Sequence, residues 1–290
     1  MNAPDWLDRD AYPFEAHYLA LPEGRLHYVD EGSGEALLLM HGLPVWSFLY
    51  RHLIRALRTK YRLIAPDHLG FGLSDKPTGY SYRPQEQART IAALINDLDL
   101  RDITVVAHDF GGPVGLAYAL DQPQNVRRVI VLNTWLWPLQ DDFQMRLAGG
   151  FLGSPVGRLL HMWFNFEVNA VMPSAYGDRS RLTRAIHDQY RGPLRDPAAR
   201  RAVWIYTREL LRSREWYASL WARREALHPI PALLLWGLKD PVFGPSYLER
   251  WQRVFANVQT VTYPETGHYV QEEQGAALAP VIETFMASTP

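Results

Sequence analysis

Short apolar runs alternate with helix-patterned segments along this chain, and that alternation limits its fold more than any other feature. Strand-like runs at Arg25–Val29, Ala36–Met40, Tyr61–Ala65, Ile103–Ala107 and Arg128–Asn133 are separated by helical spacing at Ser47–Leu57, Arg83–Leu98 and Gly112–Asp121. From about Pro138 to Pro229 the pattern becomes helical, rich in arginine and aromatics, without clear strands. The alternation then resumes with a strand at Ala232–Trp236, a helix near Ser246–Phe255, a strand at Gln259–Tyr263 and a last helix over Gln271–Ala287. Such an order predicts an α/β fold: a mostly parallel sheet flanked by helices, with ligands at the carboxyl ends of the strands. The interruption predicts an inserted helical cap. The expected division is a core of residues 1–137 and 230–290 and a cap of residues 138–229.

Composition removes several functional classes. At 290 residues, with 47% hydrophobic and 21% charged, the chain is a folded domain and not a low-complexity or disordered one. A net charge of -1 supplies no long-range field, so neither nucleic acid nor membrane is expected as a partner, although a local patch stays open. The apolar runs are far shorter than the roughly 20 residues that span a bilayer. Absence of cysteine rules out disulfides, thiolate metal sites and a cysteine nucleophile. Met1–Pro13 carries Asp5, Asp8, Arg9 and Asp10 in place of a basic start and an apolar run, so a cytoplasmic location is expected. Oligomeric state is not readable. The aromatic content is high, 12% with ten tryptophans, which points to a large apolar interior, an aromatic-lined pocket, or both.

The most informative segment is Val105-Val106-Ala107-His108-Asp109-Phe110-Gly111-Gly112. A strand that turns into a helix through small residues around one central side chain is a nucleophile elbow. The central residue is Asp109, where an acyl-serine hydrolase would carry serine. An ionised carboxylate attacks an electrophilic carbon directly and forms an ester that must then be hydrolysed; the helix N-terminus favours its charged form. Taken alone the segment also fits an ordinary polar turn. Two later strand ends add weight: Trp236-Gly237-Leu238-Lys239-Asp240-Pro241 and Glu265-Thr266-Gly267-His268. Singly, Asp240 fits a helix cap and His268 a surface loop. Together with Asp109 they give nucleophile, acid and base in the chain order of this architecture, with Asp240 orienting His268. The turn His41-Gly42-Leu43-Pro44 follows another apolar strand, and the backbone N–H groups of Leu43 and Phe110 are expected to form an oxyanion hole, with His41 in support. The run from Pro66 to Asp75 reads as a structural loop in which Asp67 caps.

From about Arg25 to Phe285 the chain resembles the α/β-hydrolase superfamily and, within it, the haloalkane dehalogenases. The resemblance is carried by His41-Gly42-Leu43-Pro44-Val45-Trp46-Ser47-Phe48-Leu49-Tyr50-Arg51, Gly70-Phe71-Gly72-Leu73-Ser74, His108-Asp109-Phe110-Gly111-Gly112, Asn133-Thr134-Trp135-Leu136-Trp137-Pro138 and Gly237-Leu238-Lys239-Asp240. It implies an α/β-hydrolase fold, Asp109 as nucleophile, His268 as base and Asp240 as acid, without metal or organic cofactor. The alternative acid position holds Asn133, which cannot be an anionic partner. The implied substrate is a small apolar electrophile, and the implied reaction turns a haloalkane and water into an alcohol and halide.

Two positions depart from that family. Its members usually hold the halide with side-chain N–H donors, one from a tryptophan directly after the nucleophile and another often from asparagine in the His-Gly-x-Pro turn. Here those positions are Phe110 and Leu43, which carry no side-chain donor. Loss of one such donor typically costs about 2.7–4 kcal/mol of transition-state stabilisation. Candidate pocket residues are Trp46, Trp135, Trp137, Trp163 and Tyr190, with further cap indoles at Trp204, Trp216 and Trp221. An epoxide hydrolase shares the fold and triad and would draw on cap tyrosines such as Tyr176, Tyr190, Tyr206 and Tyr217. The stretch after Asn133, Tyr190-Arg191-Gly192-Pro193 and Arg200-Arg201 look more like dehalogenases. A β-lactone decarboxylase and a binding protein that has lost turnover are the remaining readings.

Overall fold

The computed structural model describes residues 4–289; Met1, Asn2, Ala3 and Pro290, which fall within the expected core boundaries, lie outside the described residues. Eight strands form one sheet: β1 (His17–Leu21), β2 (Gly24–Glu31), β3 (Ala36–Met40), β4 (Arg62–Pro66), β5 (Ile103–His108), β6 (Val126–Leu132), β7 (Ala232–Gly237) and β8 (Val258–Tyr263). Their order is β1-β2-β4-β3-β5-β6-β7-β8. The β1–β2 and β2–β4 pairs are antiparallel and all the others parallel. The chain therefore has the α/β-hydrolase fold.

β3, β5 and β7 are buried at every position, which explains their unbroken apolar sequence: helices cover both faces of a parallel sheet. The sequence pattern did not anticipate β1. It is an edge strand whose residues alternate between half-buried and exposed, so its apolar signal is diluted. The core helices before the cap are α1 (Arg51–Leu57), α2 (Pro84–Asp97) and α3 (Gly111–Asp121). α3 lies close against the sheet because Gly111 has no side chain; a Cβ there would stand 2.1 Å from the Met40 carbonyl oxygen.

Between β6 and β7 the chain leaves the sheet and forms α4 (Phe143–Leu152), α5 (Pro155–Phe164), a short α6 (Met172–Ser174), α7 (Arg184–Arg191), α8 (Arg201–Arg212) and α9 (Arg214–Ala222). α4 and α5 pack on each other and on α8. The core resumes with α10 (Pro245–Gln252), α11 (Val270–Gln274) and α12 (Leu278–Ser288). The single helix expected over Gln271–Ala287 is thus two helices, broken at Gly275, whose φ of +56° interrupts the helical path. Among the described residues no helix is long and apolar enough to cross a membrane.

Candidate active site

Asp109 sits between the end of β5 and the start of α3, with φ of +51° in the left-handed region. Few non-glycine residues adopt that conformation, and it is held only where the surroundings fix it. Here Thr134 Oγ1 donates to the Asp109 carbonyl, and the Asp109 N–H donates to the Asn133 carbonyl at 3.2 Å. A Cβ on Gly112 would stand 1.9 Å from Thr134 Oγ1 and one on Gly42 would stand 2.1 Å from Asp109 Oδ1. Both glycines are therefore required for the carboxylate to stand where it does.

The Leu43 N–H donates to Asp109 Oδ1 at 2.6 Å. His41 supports this turn as a neutral imidazole: Nδ1 donates to the Gly42 carbonyl at 2.8 Å and Nε2 accepts the His68 N–H at 2.9 Å. Burial lowers its pKa and keeps it uncharged. Asp67 has the structural role expected of it, accepting the N–H groups of Ser47 at 2.7 Å and Leu73 at 2.8 Å.

His268 and Asp240 complete a line with Asp109. His268 Nδ1 meets Asp240 Oδ2 at 2.9 Å, and His268 Nε2 stands 3.7 Å from Asp109 Oδ2. Asp240 also accepts the Val242 N–H at 2.7 Å and Asn133 Nδ2 at 2.8 Å. Asn133 in turn accepts the Gly237 N–H at 2.9 Å and donates to the Gly237 carbonyl at 3.1 Å. It fixes the acid in place and does not face His268 as a partner. Burial pushes the Asp109 carboxyl up to about 6, against the downward pull of His268 and of the N–H groups of Leu43 and Phe110. Burial lowers the His268 pKa, but the Asp240 carboxylate outweighs it and the net shift is upward.

An aromatic wall joins Asp109 to His268. The Phe110 ring lies 4.8 Å from Trp135, edge to face, and 4.4 Å from Tyr206. Trp135 stacks on Phe243 at 5.0 Å, and Phe243 lies 5.7 Å from the His268 ring. Trp135 Nε1 and the hydroxyls of Tyr206 and Tyr217 are buried with no hydrogen-bond partner among the described residues. The charge on Asp109 helps to raise the pKa of both tyrosines, after burial as the main cause. Unpaired buried donors cost roughly 1–3 kcal/mol each, and three of them share this wall.

Trp46 and Tyr190 are engaged elsewhere, whereas Trp204 Nε1 and the Tyr176 hydroxyl are also buried without a hydrogen-bond partner among the described residues. Trp46 Nε1 donates to the Gln189 carbonyl at 3.1 Å. Tyr190 donates to Glu272 Oε2 at 2.5 Å, and the same carboxylate is held by Arg51. Trp137 belongs to a cluster with Trp221, Tyr247 and Trp251, with Arg250 over its ring. Trp163 is 72% exposed and does not line the site; helical spacing cannot tell an outward face from an inward one in a cap. Trp204 lies between Arg158 and Arg208.

Two buried residues in the helical stretch between β6 and β7 were not foreseen. His161 Nδ1 faces the Gly157 carbonyl at 2.7 Å, so it carries a proton, and Nε2 meets Glu167 Oε2 at 3.1 Å. Burial lowers the His161 pKa, but Glu167 outweighs it and raises it overall. Glu167 opens a π-helical turn, a feature often found at functional sites, and its charge also contributes to the raised pKa of His268.

With this geometry in hand, the chain can be set beside known proteins. The family model described as alpha/beta hydrolase fold matches residues 35–274. The chain is 38% identical to haloalkane dehalogenase 2 of Mycobacterium tuberculosis, covering 96% of this chain and 97% of that one. It is 31% identical to a cis-3-alkyl-4-alkyloxetan-2-one decarboxylase of Shewanella oneidensis, covering 96% of this chain and 90% of the relative. The crystal structure of haloalkane dehalogenase DatA from Agrobacterium tumefaciens superimposes with a TM-score of 0.85 at 26% identity, covering 95% and 97% of the two chains.

Proposed function

The chain belongs to the haloalkane dehalogenase-like branch of the α/β-hydrolase family, and on that premise we propose that it hydrolyses its substrate in two steps through an ester on Asp109. One observation carries the reading. Asp109 Oδ1 is held by the Leu43 N–H at 2.6 Å, while Oδ2 faces a histidine that Asp240 orients.

In the first step Oδ2 attacks the substrate carbon in line with the leaving group, which departs as halide with the bonding electron pair. In the second, His268 Nε2 takes a proton from water as its oxygen adds to the carboxyl carbon of the ester. Oδ1 becomes the oxyanion and stays on the Leu43 and Phe110 N–H groups. The acyl Cγ–Oδ2 bond breaks, the alcohol leaves with the proton that His268 returns, and release of the water's second proton to solvent restores the carboxylate. Asp240 stabilises the transient imidazolium.

We assign the halide contact that is otherwise missing to Trp135 Nε1, a reading supported by its burial, its lack of a partner among the described residues and its contact with Phe110. The free hydroxyls of Tyr206 and Tyr217 favour a second reading, epoxide hydrolysis, in which a phenol donates to the opening oxygen. Bromide release from short bromoalkanes, assayed beside diol formation from small epoxides with Asp109→Ala as blank, decides between them. Bromide alone supports dehalogenation and diol alone supports the second reading. Bromide release retained in Asp109→Ala would remove Asp109 from the reaction.

A further inference from the structure

Among the described residues, eight large apolar side chains are exposed, and seven of them lie between Phe143 and Phe164. On α4 they are Phe143, Leu147 and Phe151, four residues apart and therefore on one helix face. On α5 they are Val156, Leu159 and Trp163, at helical spacing on its outward face, and Phe164 at its last position. Each is more than half exposed. α4 and α5 turn their opposite faces to α8, which carries Tyr206. Exposed large apolar side chains gathered on two adjoining helices in this way mark an interaction site.

The whole-chain charge of -1, from which no membrane partner is expected, hides a division. Residues 138–229 hold fourteen arginines against nine carboxylates, so the cap carries +5 and the rest of the chain -6. From Phe143 to Phe164 no residue is acidic, and the only arginines, Arg146 and Arg158, are exposed. Beside Trp163, a surface cleft is lined by Arg191, Arg195 and Arg200. Arg191 pairs with Asp188 and Arg195 with Asp5, both at the exposed surface, and Arg200 donates to backbone carbonyls.

We propose that the α4–α5 face docks on an anionic lipid bilayer, its apolar side chains entering the headgroup boundary and the cap arginines meeting lipid phosphates. Tryptophan, phenylalanine and leucine on one face with arginine as the flanking charge is the pattern of helices that lie in a membrane interface. A second copy of the chain fits the face less well, because a symmetric contact would set the Arg146 and Arg158 charges of both copies against each other with no acid on either hairpin. Such docking is peripheral and compatible with a cytoplasmic protein. It would hold the cap where apolar molecules dissolve.

Flotation of the full-length chain with vesicles tests this directly, using phosphatidylcholine mixed with phosphatidylglycerol and, in parallel, pure phosphatidylcholine. The expected result is binding to the mixed vesicles, several-fold weaker on pure phosphatidylcholine. Leu147→Ser with Trp163→Ser should lower binding by roughly tenfold per side chain, the effect of withdrawing one large apolar group. Both sites are exposed, so an unchanged melting curve would show that the fold is intact. No flotation with the mixed vesicles, or flotation unaffected by the double substitution, overturns the proposal. So does a concentration-dependent dimer that the same substitutions dissolve in a protein that does not bind vesicles, since that assigns the face to a second copy.

Discussion

Asp109 Oδ2 and His268 Nε2 stand 3.7 Å apart, beyond hydrogen-bond reach, although Asp109 Oδ1 is firmly held by Leu43. The carboxylate thus has one anchored oxygen and one that is free to attack, and the imidazole keeps Nε2 available for water. Removing the imidazole should stop the second step and spare the first. His268→Gln treated with a reactive bromoalkane is expected to accumulate an alkyl ester on Asp109, visible as a mass increase on the peptide that carries it. An unmodified Asp109 with every substrate that the unaltered protein consumes would exclude the covalent route.

Asp240 and Asn133 touch at 2.8 Å, but only Asp240 reaches His268. Asp240→Asn leaves the shape nearly unchanged and removes the charge that selects the tautomer and stabilises the imidazolium. Turnover should fall by about 10³–10⁴-fold. Asn133→Ala frees Asp240 and the Gly237 N–H, so its main effect should be on stability, with a smaller loss of rate. Steady-state kinetics and melting curves on both variants check this; the reverse ranking of rates would move the acid to another residue.

The three residues of the proposed triad were legible as a group because each follows a strand, Asp109 directly and Asp240 and His268 within a few residues, so a one-dimensional pattern places all three at the same end of the sheet. The state of the aromatic side chains was not. Trp46 is occupied by the carbonyl of Gln189, 143 residues away, and Tyr190 by Glu272, 82 residues away. No local spacing carries such contacts. Trp135 and Trp163 look equally plausible in sequence, yet one is fully buried beside Phe110 and the other lies on the surface. Thr134 could have been noticed, since it falls inside the quoted Asn133-Thr134-Trp135 segment, but its role depends on the close approach of Gly112.

Burial raises the Asp109 carboxyl to about 6, which makes its ionisation costly to the fold. A carboxyl raised from about 3.9 in the unfolded chain destabilises the native state once it ionises, by about 3 kcal/mol above pH 6. As pH falls through both values the group becomes protonated in both states, and well below pH 4 the cost vanishes. Asp109→Asn keeps the acceptor for the Leu43 N–H and removes the charge, so it should melt several degrees higher than the unaltered chain at pH 8 and at about the same temperature near pH 4. A gain of equal size at both pH values would show that the charge is not its source. For the same reason the first chemical step should weaken as pH falls through about 6.

Glu167 is one of the charges that raise the His268 pKa. Because His268 must be neutral to take a proton from water, the rate of ester hydrolysis should rise with pH through that raised value. Glu167→Gln removes a negative charge and lowers the pKa, so the acidic limb of the kcat profile should move to lower pH. A shift to higher pH, or none, would show that Glu167 does not act on His268.

Trp135, Tyr206 and Tyr217 present three unpaired buried donors in one aromatic wall, and each can be removed without changing the wall's bulk greatly. If Trp135 Nε1 holds the departing halide, Trp135→Phe should slow the first step by roughly a hundredfold, the usual effect of losing one donor to a developing anion. Hydrolysis of the ester should be unaffected, because the oxyanion rests on Leu43 and Phe110. Tyr206→Phe and Tyr217→Phe should then change bromide release little, while abolishing any diol formation. Single-turnover measurements separate the two steps. Equal loss of both steps in Trp135→Phe would point to a packing defect, and loss of bromide release in the tyrosine variants alone would transfer the leaving-group role from the indole to the cap.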